Sequence, residues 1–193
     1  EREDLNYEQQ KISLEKIIQE QNRLNDLVEK ILLVSSIEEI KSNLNIKPIS
    51  IGLLINQLIE NQNTTHLITN EVPKDIIIQG DDFYIISLIQ NLLDNAIKYS
   101  EPGTEIIFSS FQNGTELVLS VSDQGVGIPL PFRTKIFERF YRIEDEETRS
   151  SKGTGLGLFL VNEIIKIHGG KIKCRDNKPK GTVFDIKFKT NHG

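Results

Sequence analysis

Asn91, Asn95 and Lys98 stand at i, i+4 and i+7 within IISLIQNLLDNAIKYS, residues 85–100. On a helix that spacing puts all three on one stripe. Asparagine is a poor helix former because its amide competes for the backbone. Two of them one turn apart, followed by a lysine, therefore point to a task for the stripe. An amide oxygen can coordinate a hard cation such as Mg²⁺, and an ammonium can meet a phosphate. A solvated helix face that happens to carry asparagine fits the same residues. At about 100° per residue, Ile86, Ile89, Leu93, Ala96 and Ile97 fall on the opposite side and offer a packing face.

Three glycine-bearing or aromatic stretches downstream add to the case. Asp123-Gln-Gly125-Val-Gly127-Ile128 follows an apolar strand pattern. Its glycines let backbone approach a flat ligand closely, and its carboxylate can accept from an exocyclic amine in a bond worth about 1.5–3 kcal/mol. A tight turn with an Asx cap is the plainer account. Gly153-Thr-Gly155-Leu156-Gly157-Leu158 opens a helix, where successive N–H groups and positive potential suit phosphate. It lacks the Lys-Ser/Thr of a P-loop and the spacing of a dinucleotide fingerprint. Phe137-Glu-Arg139-Phe140-Tyr-Arg142 sets aromatics beside two arginines. Phe137 and Phe140 are expected in the core, with the arginines able to swing toward a phosphate. Gly181-Thr182 before the last strand is weaker still.

Other parts of the chain must position these groups. With 193 residues, 37% hydrophobic and 26% charged, it suits one globular domain plus an appendage. A net charge of -5 gives no global basic field for nucleic acid or an anionic membrane. One cysteine excludes an internal disulfide and a Cys-rich zinc site, and fits a reducing cytosol. No apolar run reaches the roughly 20 residues of a membrane span, and no signal peptide is evident. The absence of methionine and the start Glu-Arg-Glu-Asp read as a piece of a longer cytoplasmic protein or cytoplasmic region.

Residues 1–10 lack an apolar period and are expected to fray. Residues 11–37 are helical, with Leu14, Ile17, Gln21, Leu24, Val28, Ile31 and Ser35 spaced alternately three and four apart. Such a face needs a partner helix or a second copy. A partial bundle helix is therefore expected over 1–41, a hinge over 42–50, a globular domain over 51–189 and a tail over 190–193. Within the domain the pattern predicts helices over 53–61, 81–99 and 156–168, the second capped by Asp81 or Asp82. Strands are expected over 66–71, 76–79, 105–111, 116–122, 171–174 and 182–188, the third and fourth as a hairpin across Asn113-Gly114. Residues 129–137 read as a short helix and 141–152 as a mobile loop. The fold class is α+β, one mixed or antiparallel sheet covered on one face by helices.

In order and spacing, the four stretches at Asn91, Asp123, Phe137 and Gly153 resemble the N, G1, F and G2 boxes of bacterial sensor histidine kinases. The resemblance covers about residues 46–188 as the catalytic ATP-binding domain, a relative of the gyrase and MutL ATPases with a two-layer Bergerat-type sandwich. Residues 11–37 resemble the second helix of the dimerisation and phosphotransfer hairpin. The resemblance implies ATP and Mg²⁺ as cofactors. It gives Asn95 and Asn91 to the metal, Lys98 to a phosphate, and Tyr99 to the pocket wall. Asp123 would accept from the adenine amine, with Gly125, Gly127 and Ile128 shaping the adenine wall and Thr182 touching the adenine edge through water. Gly153, Gly155 and Gly157 would frame the phosphates, with amides near Leu156 and Leu158 as donors. Residues 141–152 would be the lid, and Arg139 or Arg142 would face the γ-phosphate.

The family's acceptor histidine lies in a His-(Glu/Asp)-x-(Arg/Lys)-x-Pro box, and His66, His168 and His192 all lack it. The chain is thus expected to bind Mg-ATP without phosphorylating itself, its parent relaying phosphoryl to a response-regulator Asp and pairing as a homodimer. An anti-sigma-type serine kinase of the same fold, or a degenerate scaffold module, are the alternatives. The bundle helix argues against the first and the intact boxes against the second.

Overall fold

A computed structural model describes residues 2–35, 43–114, 116–143 and 154–189. The chain forms two compact units, Glu1–Glu38 and the larger Glu39–Gly193.

In the first unit, helix α1 runs from Arg2 to Ser35. The fraying expected over 1–10 does not occur from Arg2 onward; continuous helix needs no apolar period, only residues without Gly or Pro. Leu14, Ile17, Leu24 and Val28 of the predicted seam are all more than half exposed.

The second unit is built from β1 (Lys47–Ser50), α2 (Ile51–Glu60), β2 (Leu67–Asn70), β3 (Ile77–Gly80), α3 (Asp82–Tyr99), β4 (Glu105–Asn113), β5 (Glu116–Ser122), α4 (Gly157–Ile167), β6 (Lys171–Asp176) and β7 (Thr182–Lys189). Two 3₁₀ turns, Leu130–Phe132 and Lys135–Phe137, replace the single short helix expected there. The main sheet has order β2-β4-β5-β7-β6, parallel at β2–β4 and antiparallel elsewhere. It is the mixed, helix-covered sheet that the sequence predicts.

The alternation along β5 explains its single covered face: Leu117, Leu119 and Val121 are buried while Val118, Ser120 and Ser122 stay half-exposed. Phe108, Ile186 and Phe188 join them from neighbouring strands. Ile85, Leu88, Ile89, Leu92 and Leu93 of α3, with Leu160, Val161, Ile164 and Ile165 of α4, close the core from the helical side.

Two expectations are corrected. Lys47–Ser50, inside the predicted hinge, is a strand that pairs antiparallel with β3 in a separate two-stranded ribbon. Pro48 can sit in it because such a ribbon has only edges. The packing face of α3 is also not the one a single stripe gives. Ile86 is 38% exposed, whereas Ile85, Leu88 and Leu92 are buried. The helix packs against both the sheet and α4, so its apolar surface is wider than one face.

Asp81 caps α3, its Oδ1 accepting from the Phe83 N–H at 3.1 Å while Oδ2 accepts from Asn45 N at 2.9 Å. His168, at the end of α4, ties the same junction. Its Nε2 accepts from the Asp81 N–H at 3.1 Å and its Nδ1 faces the Ile164 carbonyl at 2.7 Å. Both ring nitrogens are committed to backbone, which requires the neutral Nδ1–H tautomer. His168→Ala is expected to cost about 1–3 kcal/mol by orphaning these groups; an unchanged denaturation midpoint would deny the histidine its structural role.

Candidate functional site

Helix α3 carries the first part of the site. The Asn91 amide donates through Nδ2 to the Ser87 carbonyl at 2.7 Å, and Asn95 Nδ2 donates to the Asn91 carbonyl at 2.8 Å. A carbonyl can be met only by the NH₂ end, so these bonds fix each amide's orientation and leave Oδ1 as its outward end. This is a back-bonding arrangement that asparagine adopts mid-helix at some cost in stability. Asn91 is buried and Asn95 half-buried. A Cβ built on Gly157 would lie 3.0 Å from Asn91 Oδ1 and 3.8 Å from Asn95 Nδ2. Glycine at the start of α4 therefore brings that helix terminus directly against the two asparagines.

The start of α4 has no side-chain cap. Leu156 N–H is taken by Thr154 Oγ1 at 3.3 Å, but the N–H groups of the first turn point out of the helix end. Leu156 itself is fully buried and Leu158 half-buried. Gly155 has φ 71°, and a Cβ there would sit 2.7 Å from the Phe140 carbonyl carbon. Phe140 N–H donates to the Gly155 carbonyl at 3.0 Å. That bond pins together the two ends of the segment 141–154. Gly153 and most of the expected lid, 144–153, lie outside the described residues, as do residues 36–42, His192 and the tail.

Lys98 projects from the last turn of α3. Its Nζ donates to Tyr99 Oη at 3.2 Å and lies 4.7 Å from the Tyr99 ring centroid. Among the described residues it has no carboxylate partner, so its charge is available to an anion.

The C-terminal end of α3 meets the glycine turn after β5. Val126 N–H donates to the Tyr99 carbonyl at 3.3 Å, and a side chain on Gly125 would overlap that same oxygen. Asp123 is 5% exposed. Its Oδ1 accepts from Gly125 N at 2.8 Å and from Thr182 N at 3.1 Å. Burial pushes its carboxyl above the ordinary carboxylate range, and the two N–H bonds pull partly back. Oδ2 is left to accept a donor from a ligand. Thr182 is buried beside it, Gly127 lies near the Gly181 carbonyl, and Ile128 is half-buried.

The structure thus brings Asn91, Asn95, Tyr99, Asp123, Gly125, Gly127, Gly155, Leu156, Gly157 and Thr182 into one connected arrangement. Arg139 and Arg142 are exposed. Arg139 lies 5.0 Å from the Phe140 ring centroid. The aromatic expectation divides. Phe137 is half-buried and packs edge-on against Phe184 at 6.4 Å, whereas Phe140 is 57% exposed with φ 64° and is no core residue. Holding the backbone bond to Gly155 turns its side chain outward.

Three further residues support the Asp123 turn. Asn177 Nδ2 donates to the Asp123 carbonyl at 2.8 Å. Gly181, at φ 119°, lies directly on that carbonyl. Arg133 donates through Nε to the Ile128 carbonyl at 2.9 Å while ion-pairing with Asp176. Only Gly181-Thr182 carries a signal in the sequence, as a glycine before a strand.

The family model for histidine kinase-, DNA gyrase B- and HSP90-like ATPases matches residues 80–192. The chain belongs to that family. The chain is 34% identical over 183 residues to the sensor protein SrrB of Staphylococcus aureus, a match covering 92% of the chain and 31% of SrrB. It is 27% identical over 179 residues to the sensor-like histidine kinase SenX3 of Mycolicibacterium smegmatis, covering 90% of the chain and 47% of SenX3. The chain therefore spans a third to a half of these relatives. A solved structure of the mycobacterial sensor histidine kinase MprB superposes with a TM-score of 0.66 at 29% identity, over 75% of this chain and 97% of that one. The chain carries a histidine kinase-type ATPase domain preceded by a helix. No described helix is long and apolar enough to cross a membrane.

Proposed function

We propose that the domain binds Mg-ATP and presents its γ-phosphoryl to a histidine outside this chain, for relay to an Asp on a response-regulator receiver domain. The observation that carries this reading is Asp123. It is a buried carboxylate with one oxygen saturated by backbone and the other left over, on a turn packed against the C-terminal end of the helix that carries the two oriented asparagines. Asp123 takes the adenine amine, Thr182 and Ile128 the adenine edge and wall, and Tyr99 the pocket side. The first turn of α4, with Leu158 N–H, takes phosphate, and Lys98 adds charge.

Among the described residues no three His, Cys, Asp or Glu side chains gather as a metal site. The donors that fit Mg²⁺ are the amide oxygens of Asn95 and Asn91, together with phosphate oxygens and water. When bound, the metal neutralises phosphate charge during transfer. Arg139 or Arg142 supplies further charge at the γ-phosphate. The comparison with the full-length ShkA structure, crystallised with AMPPNP, supports the fold on which this reading rests.

Neither His66 nor His168 is placed as an acceptor. His168 has both nitrogens on backbone, and His66 Nδ1 meets Thr64 Oγ1 at 2.8 Å with Nε2 buried. The exposed apolar stripe of α1 supports a bundle formed with a second copy in the parent. The chain then divides into a bundle helix over 1–41, a hinge shortened to 42–46 because β1 pairs with β3, an ATPase domain over 47–189 and a tail over 190–193.

Calorimetric titration with a non-hydrolysable ATP analogue, with and without Mg²⁺ and beside GTP, tests the reading. Metal-dependent preference for ATP is expected, and no binding with or without metal would overturn it. Asn95→Ala should reduce the gain in affinity from Mg²⁺ by tenfold or more, because a metal contact worth about 1.5–3 kcal/mol is lost. Undiminished metal dependence would remove Asn95 from the metal.

A further inference from the structure

The turn joining β6 to β7 is organised around Asn177. Asn177 N–H donates to the Gly181 carbonyl at 3.0 Å, and its Oδ1 accepts from Lys178 N at 3.0 Å. Its remaining group, Nδ2, reaches out of the turn to the Asp123 carbonyl at 2.8 Å, across 54 residues of sequence. The next backbone links follow the same line: Asp123 N–H donates to the Thr182 carbonyl at 2.9 Å and Thr182 N–H returns to Asp123 Oδ1 at 3.1 Å. Asp123 is thus held by main chain at its amide, by main chain at one carboxylate oxygen, and by a side chain at its carbonyl. Among the described residues Asn177 is the one side chain that hydrogen-bonds to it.

The position of the Asp123 carbonyl matters because the peptide that follows leads into Gln124 and Gly125. Gly125 N–H in turn orients the carboxylate. Rotation of the 123–124 peptide would displace the Gly125 N–H and so remove the donor that orients the carboxylate. A donor on that carbonyl resists the rotation, and the donor's own orientation is fixed because Oδ1 of Asn177 is committed to Lys178 N.

We propose that Asn177 is a positioning residue for base selection. It aims the unshared oxygen of Asp123 at the 6-amino group of a purine nucleotide, and so sets the preference for adenine rather than general nucleotide affinity. The inference rests on the reading of Asp123 given above.

Asn177→Asp is the direct test. It keeps size and an acceptor for Lys178 N, but it sets an oxygen against the Asp123 carbonyl. Wild type and variant are titrated with ATP and with purine riboside triphosphate, which lacks only the 6-amino group. Wild type should favour ATP by about tenfold, the worth of one charged hydrogen bond. In the variant that ratio should fall to about threefold or less, with most of the loss in ATP affinity. Equal weakening of both nucleotides would show a purely structural role and overturn the proposal, as would an unchanged ratio. Asn177→Ala deletes the donor without adding charge and reads the same ratio if the Asp variant melts early. Wild type that binds ATP without discriminating would overturn the Asp123 reading itself, and with it this inference.

Discussion

Asp123→Asn should weaken ATP binding by tenfold to a hundredfold. The asparagine has two ways to sit and both fail. With Oδ1 kept on the Gly125 and Thr182 N–H groups, its NH₂ faces the adenine amine, donor against donor. Flipped, it meets adenine with oxygen but turns NH₂ on two backbone N–H groups inside a site only 5% exposed. Losing a charged hydrogen bond costs about 1.5–3 kcal/mol and orphaning a buried donor about 1–3 kcal/mol, and every 1.4 kcal/mol is tenfold in affinity. A base bearing an acceptor at that position should lose less, so the ATP-to-GTP preference narrows or inverts. Calorimetry with both nucleotides decides it: an unchanged ATP affinity would remove Asp123 from the base.

The same substitution has a signature in the absence of ligand. Because burial raises the Asp123 carboxyl above its ordinary 3.8, the native state holds a proton over an interval where the unfolded chain has released it. Stability from this group therefore falls as pH rises through that interval. Asp123→Asn should abolish that fall, which denaturant midpoints across the acid range would show.

What the sequence makes legible follows from the range over which each signal acts. Helix α3 can be read to within a residue because Asp81 caps it locally and the apolar period persists to Tyr99. The hairpin across Asn113-Gly114 is equally local. Ile86 and Phe140 defy the sequence pattern because their environments are set by other elements. A helical wheel does not show that α4 covers a second side of α3. Nor does FERFYR reveal that Phe140 takes φ 64° to reach Gly155. Strand β1 is hidden by Pro48 and the asparagines around it, since its pairing is with distant β3, Lys47 opposite Gly80 and Ser50 opposite Ile77. The glycines, asparagines and Asp123 of the site stand out through residue type. Their brackets, Asn177 and Arg133, do not, because an Asn after a strand and an Arg between 3₁₀ turns look like ordinary loop residues.

Gly181→Ala should be the most damaging small substitution in the domain. At φ 119° an L side chain is strained by about 1–3 kcal/mol, and here a Cβ would also overlap the Asp123 carbonyl. The obstacle is backbone, so no rotamer change relieves it. The turn must move off β5, breaking the Asn177 and Thr182 bonds to Asp123 together. A combined cost of about 3 kcal/mol or more lowers Tm by roughly 6–12 °C for a domain of this size, and ATP affinity should fall with the displaced carboxylate. Gly114→Ala separates the two causes. Gly114 also has positive φ, 58°, yet a Cβ there meets nothing within 4 Å. It should cost only the backbone strain of about 1–2 kcal/mol and leave nucleotide binding intact. If the two variants melt together and bind ATP alike, the close approach of Gly181 to Asp123 does not support the site.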